Sequence, residues 1–137
     1  MAIDHTCLIV PKDKFKQCLD VYLAALKPLG YGQRHQYGET LVGLGSTNDP
    51  VIADYSPSDF WVVGQDSSSG HAAFPIHLAF TAADRKTVDD FHAAAIRAGA
   101  KCNGPPGLRS HYHANYYGAY ILDAAGNNIE AVCHKAQ

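Results

Sequence analysis

Apolar positions along the chain recur with two periods, and the order of those periods repeats. Residues 3–10 form a short run rich in Ile, Leu and Val that Pro11 stops, which predicts a strand. From about Asp13 onward, Phe15, Cys18, Leu19, Tyr22, Leu23 and Leu26 recur at helical spacing. Pro28 and Gly30 close that helix, the first because it cannot continue the ladder, the second because it can turn left-handed. Residues 31–37 and 40–44 predict two strands joined by a turn at Gly38 and Glu39. Short apolar runs follow at 51–55 and 60–63. Residues 65–70 contain three serines and no hydrophobic side chain, and they predict a linker.

The same order then begins again. Residues 75–81 predict a strand, Asp84 a helix N-cap, and Val88, Phe91, Ala95 and Ile96 an apolar helical stripe that Gly99 ends. A weak strand near Ala100 leads into an expected loop at 104–107. Strong strands follow at 116–123 and 128–134, joined by the sequence AAGN. Strand, helix, then several strands therefore occur twice, with little residue identity between the copies. This pattern predicts an α+β fold of two similar modules, with the helices on one face of the sheets and the other face free to line a cleft. Module one spans about 1–65, the linker about 65–72 and module two about 73–137.

Length and composition leave this picture intact. The 137 residues suffice for one domain, and 47% hydrophobic with 18% charged residues is an ordinary globular balance. A net charge of -2 and a pI near 6.4 lack the basic footprint of a nucleic-acid binder. No apolar run is long enough to span a membrane, and the N-terminus lacks the charge pattern of a signal peptide. A cytoplasmic protein is expected. Cys7, Cys18, Cys102 and Cys133 are scattered without a CxxC pair, so small buried hydrophobes are expected rather than a zinc knuckle.

Candidate chemistry emerges from strand phase. Side chains alternate across a strand, so His5, Cys7 and Ile9 share one face, and His77, Ala79 and Thr81 another. Ile76, Leu78 and Phe80 form the greasier side that should meet the helix. In the last strand Asn128, Glu130, Val132 and His134 point one way, and Ile129, Ala131 and Cys133 the other. A buried carboxylate is costly unless it is paired or bound to a metal. Two imidazoles and a carboxylate make a facial ligand set with open positions for water and substrate. Residue types alone leave two alternatives open: ordinary sheet histidines, and a salt bridge for Glu130.

The segments IHLAFTAADRKTVDDFHAAAIRAGAK and NGPPGLRSHYHANYYGAYILDAAGNNIEAVCH resemble the glyoxalase/bleomycin-resistance/extradiol-dioxygenase, or vicinal-oxygen-chelate, superfamily. The resemblance covers His77 to His134 well, the N-terminal IDHTCLIV more loosely and residues 45–70 poorly; DAAGNNIEAV is its most specific part. It implies two βαβββ modules whose curved sheets enclose a divalent metal (Zn, Fe, Mn or Ni), with ligands from the first and last strands of each module. On this sequence those positions are His5, His77 and Glu130. The fourth position falls in 60–63, where nothing can ligate. That departure is more similar to three-ligand dioxygenases and fosfomycin-resistance enzymes than to four-ligand glyoxalase I.

Around the expected cleft, His111 and His113 are candidate acid–base groups, since an imidazole titrates near neutral pH. Arg109 is a candidate anion clamp, and Tyr116, Tyr120 and Trp61 are candidate substrate walls. His92 is expected at a helix boundary, His35 and His71 at the surface, and His134 at a fraying chain end. The function implied is a small-molecule enzyme using the metal as Lewis acid on vicinal oxygens of its substrate, as a lyase or isomerase or as a dioxygenase. The alternative is a metal-free sequestration protein of bleomycin-resistance type. A homodimer is expected, with modules pairing within one chain or between chains.

Overall fold

A computed structural model describes residues 3–51, 56–66, 68 and 74–136. Module one contains β1 (Thr6–Pro11), α1 (Phe15–Ala25), β2 (Tyr31–Tyr37), β3 (Leu41–Ser46) and β4 (Phe60–Gln65). Module two contains β5 (His77–Thr81), α2 (Arg85–Arg97), β6 (Lys101–Leu108), β7 (Tyr117–Leu122) and β8 (Asn128–Cys133). Each module folds into one four-stranded sheet, in the orders β1-β4-β3-β2 and β5-β8-β7-β6. The first strand of each runs parallel to the last, and the other pairings are antiparallel. The predicted βαβββ repeat is thus the architecture observed. Neither sheet closes, and β1 and β5 each stand at an edge.

Strand phase decides what packs. Leu8 and Val10, Val42 and Leu44, and Phe60 and Val62 turn one face of the first sheet to the core, as Ala119, Ile121, Ile129, Ala131 and Cys133 do in the second. α1 covers the first face with Phe15, Cys18, Val21, Tyr22 and Ala25. α2 covers the second with Val88, Phe91, Ala94 and Ala95, and the two helices touch. The modules share one core. Phe80 meets Tyr31 and Phe60 edge-on at 5.7 and 5.4 Å between ring centroids. The Tyr22 hydroxyl donates to Asp123 at 2.5 Å, tying α1 to the turn between β7 and β8. Burial, reinforced by the Asp123 charge, pushes the Cys18 thiol up to about 11, so it stays neutral.

Local signals hold at the helix ends. Asp84 caps α2 by accepting from the Thr87 amide at 2.8 Å. Gly30 and Gly99 sit at φ 83° and 102°, where a side chain would be strained. α1 has no side-chain cap and starts from a 3-10 turn at Lys12–Lys14 behind Pro11.

Three expectations need correction. Residues 104–107 are not a loop but lie inside β6, which pairs with β7 through two register shifts. β6 is an edge strand, the position where prolines are tolerated, so Pro105 and Pro106 did not prevent pairing. Cys7 and Cys102 are exposed, and only Cys18 and Cys133 are buried. His35 is half-buried, with Nε2 2.7 Å from the Ser56 carbonyl. Of the run at 51–55, residues 52–55 lie outside the described residues, as do His71 and much of the expected linker. Among the described residues no helix is long and apolar enough to cross a membrane.

Candidate metal centre

The core-facing residues of each sheet leave the alternate ones on its outer, open face. In module two, the register aligns Ala79, Glu130, Tyr120 and Gly104 in one row across that face. His77 stands at the start of β5, one step from this row. Its Nε2 lies 3.2 Å from Glu130 Oε2. Glu130 is 2% exposed, whereas the His77 side chain is 52% exposed and open to solvent. Tyr116, just before β7, donates its hydroxyl to Glu130 Oε1 at 2.6 Å.

The hydrogen-bond roles around His77 define what the pair needs. Nδ1 lies 3.2 Å from the Asn128 carbonyl, which can only accept, so Nδ1 carries the proton. In the neutral tautomer Nε2 then turns a lone pair toward a carboxylate oxygen, and in the imidazolium it donates to that oxygen. Two acceptors at that distance repel unless a proton or a cation sits between them. A separation of 3.2 Å also suits two ligands each about 2.1 Å from a shared cation. The bond that His77 donates to Asn128 and the one that Glu130 accepts from Tyr116 orient both side chains, as the outer shell of a metal site would. The donor set fits a divalent metal.

His5 does not join them within the chain. It precedes β1 at the free edge of the first sheet, 55% exposed at its side chain, with Nδ1 2.7 Å from Asp4. Among the described residues, no three His, Cys, Asp or Glu side chains of one chain gather to hold a metal. The expected triad is therefore divided between two open faces.

The cluster before β7 resolves into distinct placements. The Asn115 amide donates to His113 Nδ1 at 3.1 Å, so Nε2 carries the proton and donates to His134 Nδ1 at 2.6 Å. Tyr116 lies edge-on to both rings, at 5.7 and 5.2 Å. His134, expected to fray, is thus bonded into the site's border; its phase with Glu130 was the signal. His111 instead packs on Tyr112 at 4.1 Å, farther out on the loop. Arg109 donates to the carbonyls of Pro105 and Leu108, and its guanidinium lies 5.7 Å above the Tyr120 ring. Tyr120 also lies 6.4 Å from His77, on the same open face. Burial and the Glu130 charge raise both the Tyr116 and Tyr120 hydroxyls, which keeps them protonated donors at neutral pH.

Trp61 takes the equivalent place in module one. Cys7 pairs with Trp61 as Ala79 pairs with Glu130, so an indole stands where the second module has its carboxylate. Trp61 lines a pocket of about 350 Å³ with Asp4, His5, Cys7, Tyr37, Leu41 and Ser58. A larger groove, about 720 Å³ between α1 and α2, contains none of the candidate site residues.

Tyr116→Phe should isolate the outer-shell bond to Glu130. Metal affinity is expected to fall about tenfold or more, measured by competition with a chromophoric chelator. The change leaves the ring packing but takes one donor from the buried Glu130 carboxylate, so urea unfolding of the metal-free protein should show a loss of about 1–2 kcal/mol.

No protein-family model and no curated protein matches the chain. Solved structures do. A glyoxalase/bleomycin resistance protein from Albidiferax ferrireducens is 25% identical, with a TM-score of 0.69 over 95% of this chain and 98% of that one. A glyoxalase/bleomycin resistance protein/dioxygenase family enzyme from Burkholderia phytofirmans is 16% identical, with a TM-score of 0.68 over 98% and 100%. Lactoylglutathione lyase from Agrobacterium tumefaciens is 17% identical, with a TM-score of 0.61 over 96% and 92%. By its fold, built from two βαβββ modules matched along nearly their whole length, the chain belongs to the vicinal-oxygen-chelate superfamily of glyoxalase, bleomycin-resistance and dioxygenase proteins.

Proposed function

We propose that the chain acts as a homodimeric, divalent-metal-dependent enzyme on a small molecule, with each metal held by His77 and Glu130 of one copy and His5 of the other. The observation that carries this reading is the His77 Nε2–Glu130 Oε2 pair, 3.2 Å apart on an open sheet, with the carboxylate buried. Each chain offers one half-site with two ligands, on the edge strand β5 and the adjoining β8, and another with one, just before the edge strand β1. Bringing the open face of module one in one copy against that of module two in another would complete two equivalent sites. A two-fold dimer is the commonest way to achieve this.

Bound there, the cation would supply Lewis acidity to adjacent oxygens of the substrate. The chain's own residues supply the rest. Tyr116 holds its proton on Glu130 Oε1 and fixes that carboxylate. His113, with Nε2–H committed to His134, can pass a proton along the dyad to solvent at the rim of the cleft. Arg109, held over Tyr120, offers its remaining N–H groups to an anionic substituent, and Trp61 walls the opposite side. This arrangement serves a lyase, an isomerase or a dioxygenase.

Reconstitution with Zn, Mn, Fe(II) or Ni tests the reading. The protein should retain about one ion per chain through desalting and sediment as a dimer. A monomer that retains no ion from any of the four would refute it, and a metal-free dimer would leave a shared proton, not a cation, between His77 and Glu130.

A further inference from the structure

Of the three proposed ligands, the open face of module one carries His5 alone, yet it is built with more care than an unused surface needs. In its central row, His35, Gly43 and Trp61 stand side by side across β2, β3 and β4. Gly43 has no side chain, and a Cβ there would stand 2.9 Å from Trp61 Cη2 and 2.8 Å from Ser58 Oγ. That gap lets the imidazole and the indole approach across the intervening strand. Tyr37, two residues beyond His35, joins them. The three rings are nearly parallel, within 7–14°, and all three centroid separations are 5.9–6.0 Å. A single column of stacked rings would place its outer pair twice as far apart as its neighbours. Equal separations therefore exclude a single column and leave a triangular cluster, an aromatic plate, on one face of the sheet.

Beside the plate sits a second, independent feature. Ser58 is 6% exposed and lines the pocket, and its Oγ has no hydrogen-bond partner among the described residues. An unpaired hydroxyl buried away from water is costly, and such groups are retained where a ligand satisfies them. The nearby indole N–H is already committed to the Ser58 carbonyl at 3.1 Å, so it cannot serve.

We infer that this pocket is the ring-binding half of the substrate site: it takes a flat, conjugated ring against Trp61 and Tyr37, which His35 supports from beside them, with a hydroxyl or carbonyl of the ligand bonded to Ser58 Oγ. The inference rests on the proposed pairing only for what faces the pocket, the His77–Glu130 half-site of the other copy. The two modules then divide the work, one gripping a planar ring and the other its oxygens. A volume of about 350 Å³ suits one or two fused rings.

Trp61 is the only tryptophan in the chain, so its indole N–H resonance reports on the pocket without ambiguity. Naphthol and its saturated counterpart decahydronaphthol, titrated into the dimer before and after metal removal, form the test. Naphthol should shift the Trp61 resonance saturably at submillimolar concentration in both forms, and decahydronaphthol should bind at least about fivefold more weakly. Tyr37 is 59% exposed, so Tyr37→Ala should fold normally while weakening naphthol about fivefold to tenfold. Ser58→Ala should weaken naphthol but leave toluene unchanged. Equal binding of the saturated alcohol, or no shift of Trp61 in folded protein, would overturn the inference. Metal content measured on the same samples separates the two ideas: ring binding without retained metal sinks the metal reading alone, and retained metal without ring binding sinks this one alone.

Discussion

Glu130→Ala is expected to lower metal affinity by more than about a hundredfold, a larger loss than outer-shell changes produce. The carboxylate is the buried member of the pair, held between Tyr116 at 2.6 Å and His77 at 3.2 Å. Its removal leaves His77 a single exposed imidazole, with no neighbour to share a cation. Some stability goes with it, because the truncation leaves a space in a buried position and takes the acceptor from Tyr116. The metal loss should exceed that effect: the variant is expected to unfold cooperatively in urea at a lower midpoint, and to bind no metal under conditions where it is still folded. Glu130→Gln separates charge from shape: it preserves the volume and an acceptor for Tyr116, and should still lose most of the affinity. Retention of stoichiometric metal by Glu130→Ala would remove this carboxylate from the site.

Asp123→Ala is expected to destabilise the fold by about 3–5 kcal/mol, the cost typical of breaking a buried charged network. Asp123 is 5% exposed and accepts four hydrogen bonds. Two come from the amides of Ala125 and Asn127, one from the Asn127 side chain, and one from Tyr22 of the other module. Burial, then the Asp123 charge, raises the Tyr22 hydroxyl well above its ordinary value, so it remains a donor wherever the protein is folded. Tyr22→Phe removes one of those four bonds and should cost only about 1–2 kcal/mol. Urea unfolding at constant m-value measures both. A loss below about 1 kcal/mol for Asp123→Ala would show that the modules are held together by their shared apolar core alone.

What was legible in the sequence followed from short-range periodicity. The alternation in residues 3–10, 75–81 and 128–134 separated core faces from open faces correctly, because period two leaves one choice once the greasier side is known. It placed Glu130, His77 and His5 on the open faces. It could not place them relative to one another, because that depends on pairing between distant strands and between copies of the chain. β6 escaped because its two prolines and two glycines signal a turn locally, while β7 imposes pairing on them from outside. His35 escaped for the same reason: its neighbour Trp61 lies two strands away across Gly43, a contact that no local pattern encodes. Ser58, an isolated serine in a poorly patterned segment, carried no signal at all.

The central claim is that one metal site is assembled from two chains, and mixed dimers test it most directly. Chains carrying His5→Ala and chains carrying Glu130→Ala can be given different tags, co-expressed, and purified through both tags. Each mutant homodimer is expected to retain almost no metal. In the mixed dimer, one site inherits both defects, while the other combines His5 of the Glu130→Ala chain with His77 and Glu130 of the His5→Ala chain. That site is intact, so the mixed dimer should recover about half the metal of the unmutated protein. If it retains no more than the two mutant homodimers, the ligands are not shared between chains in this way, and the proposed centre is wrong.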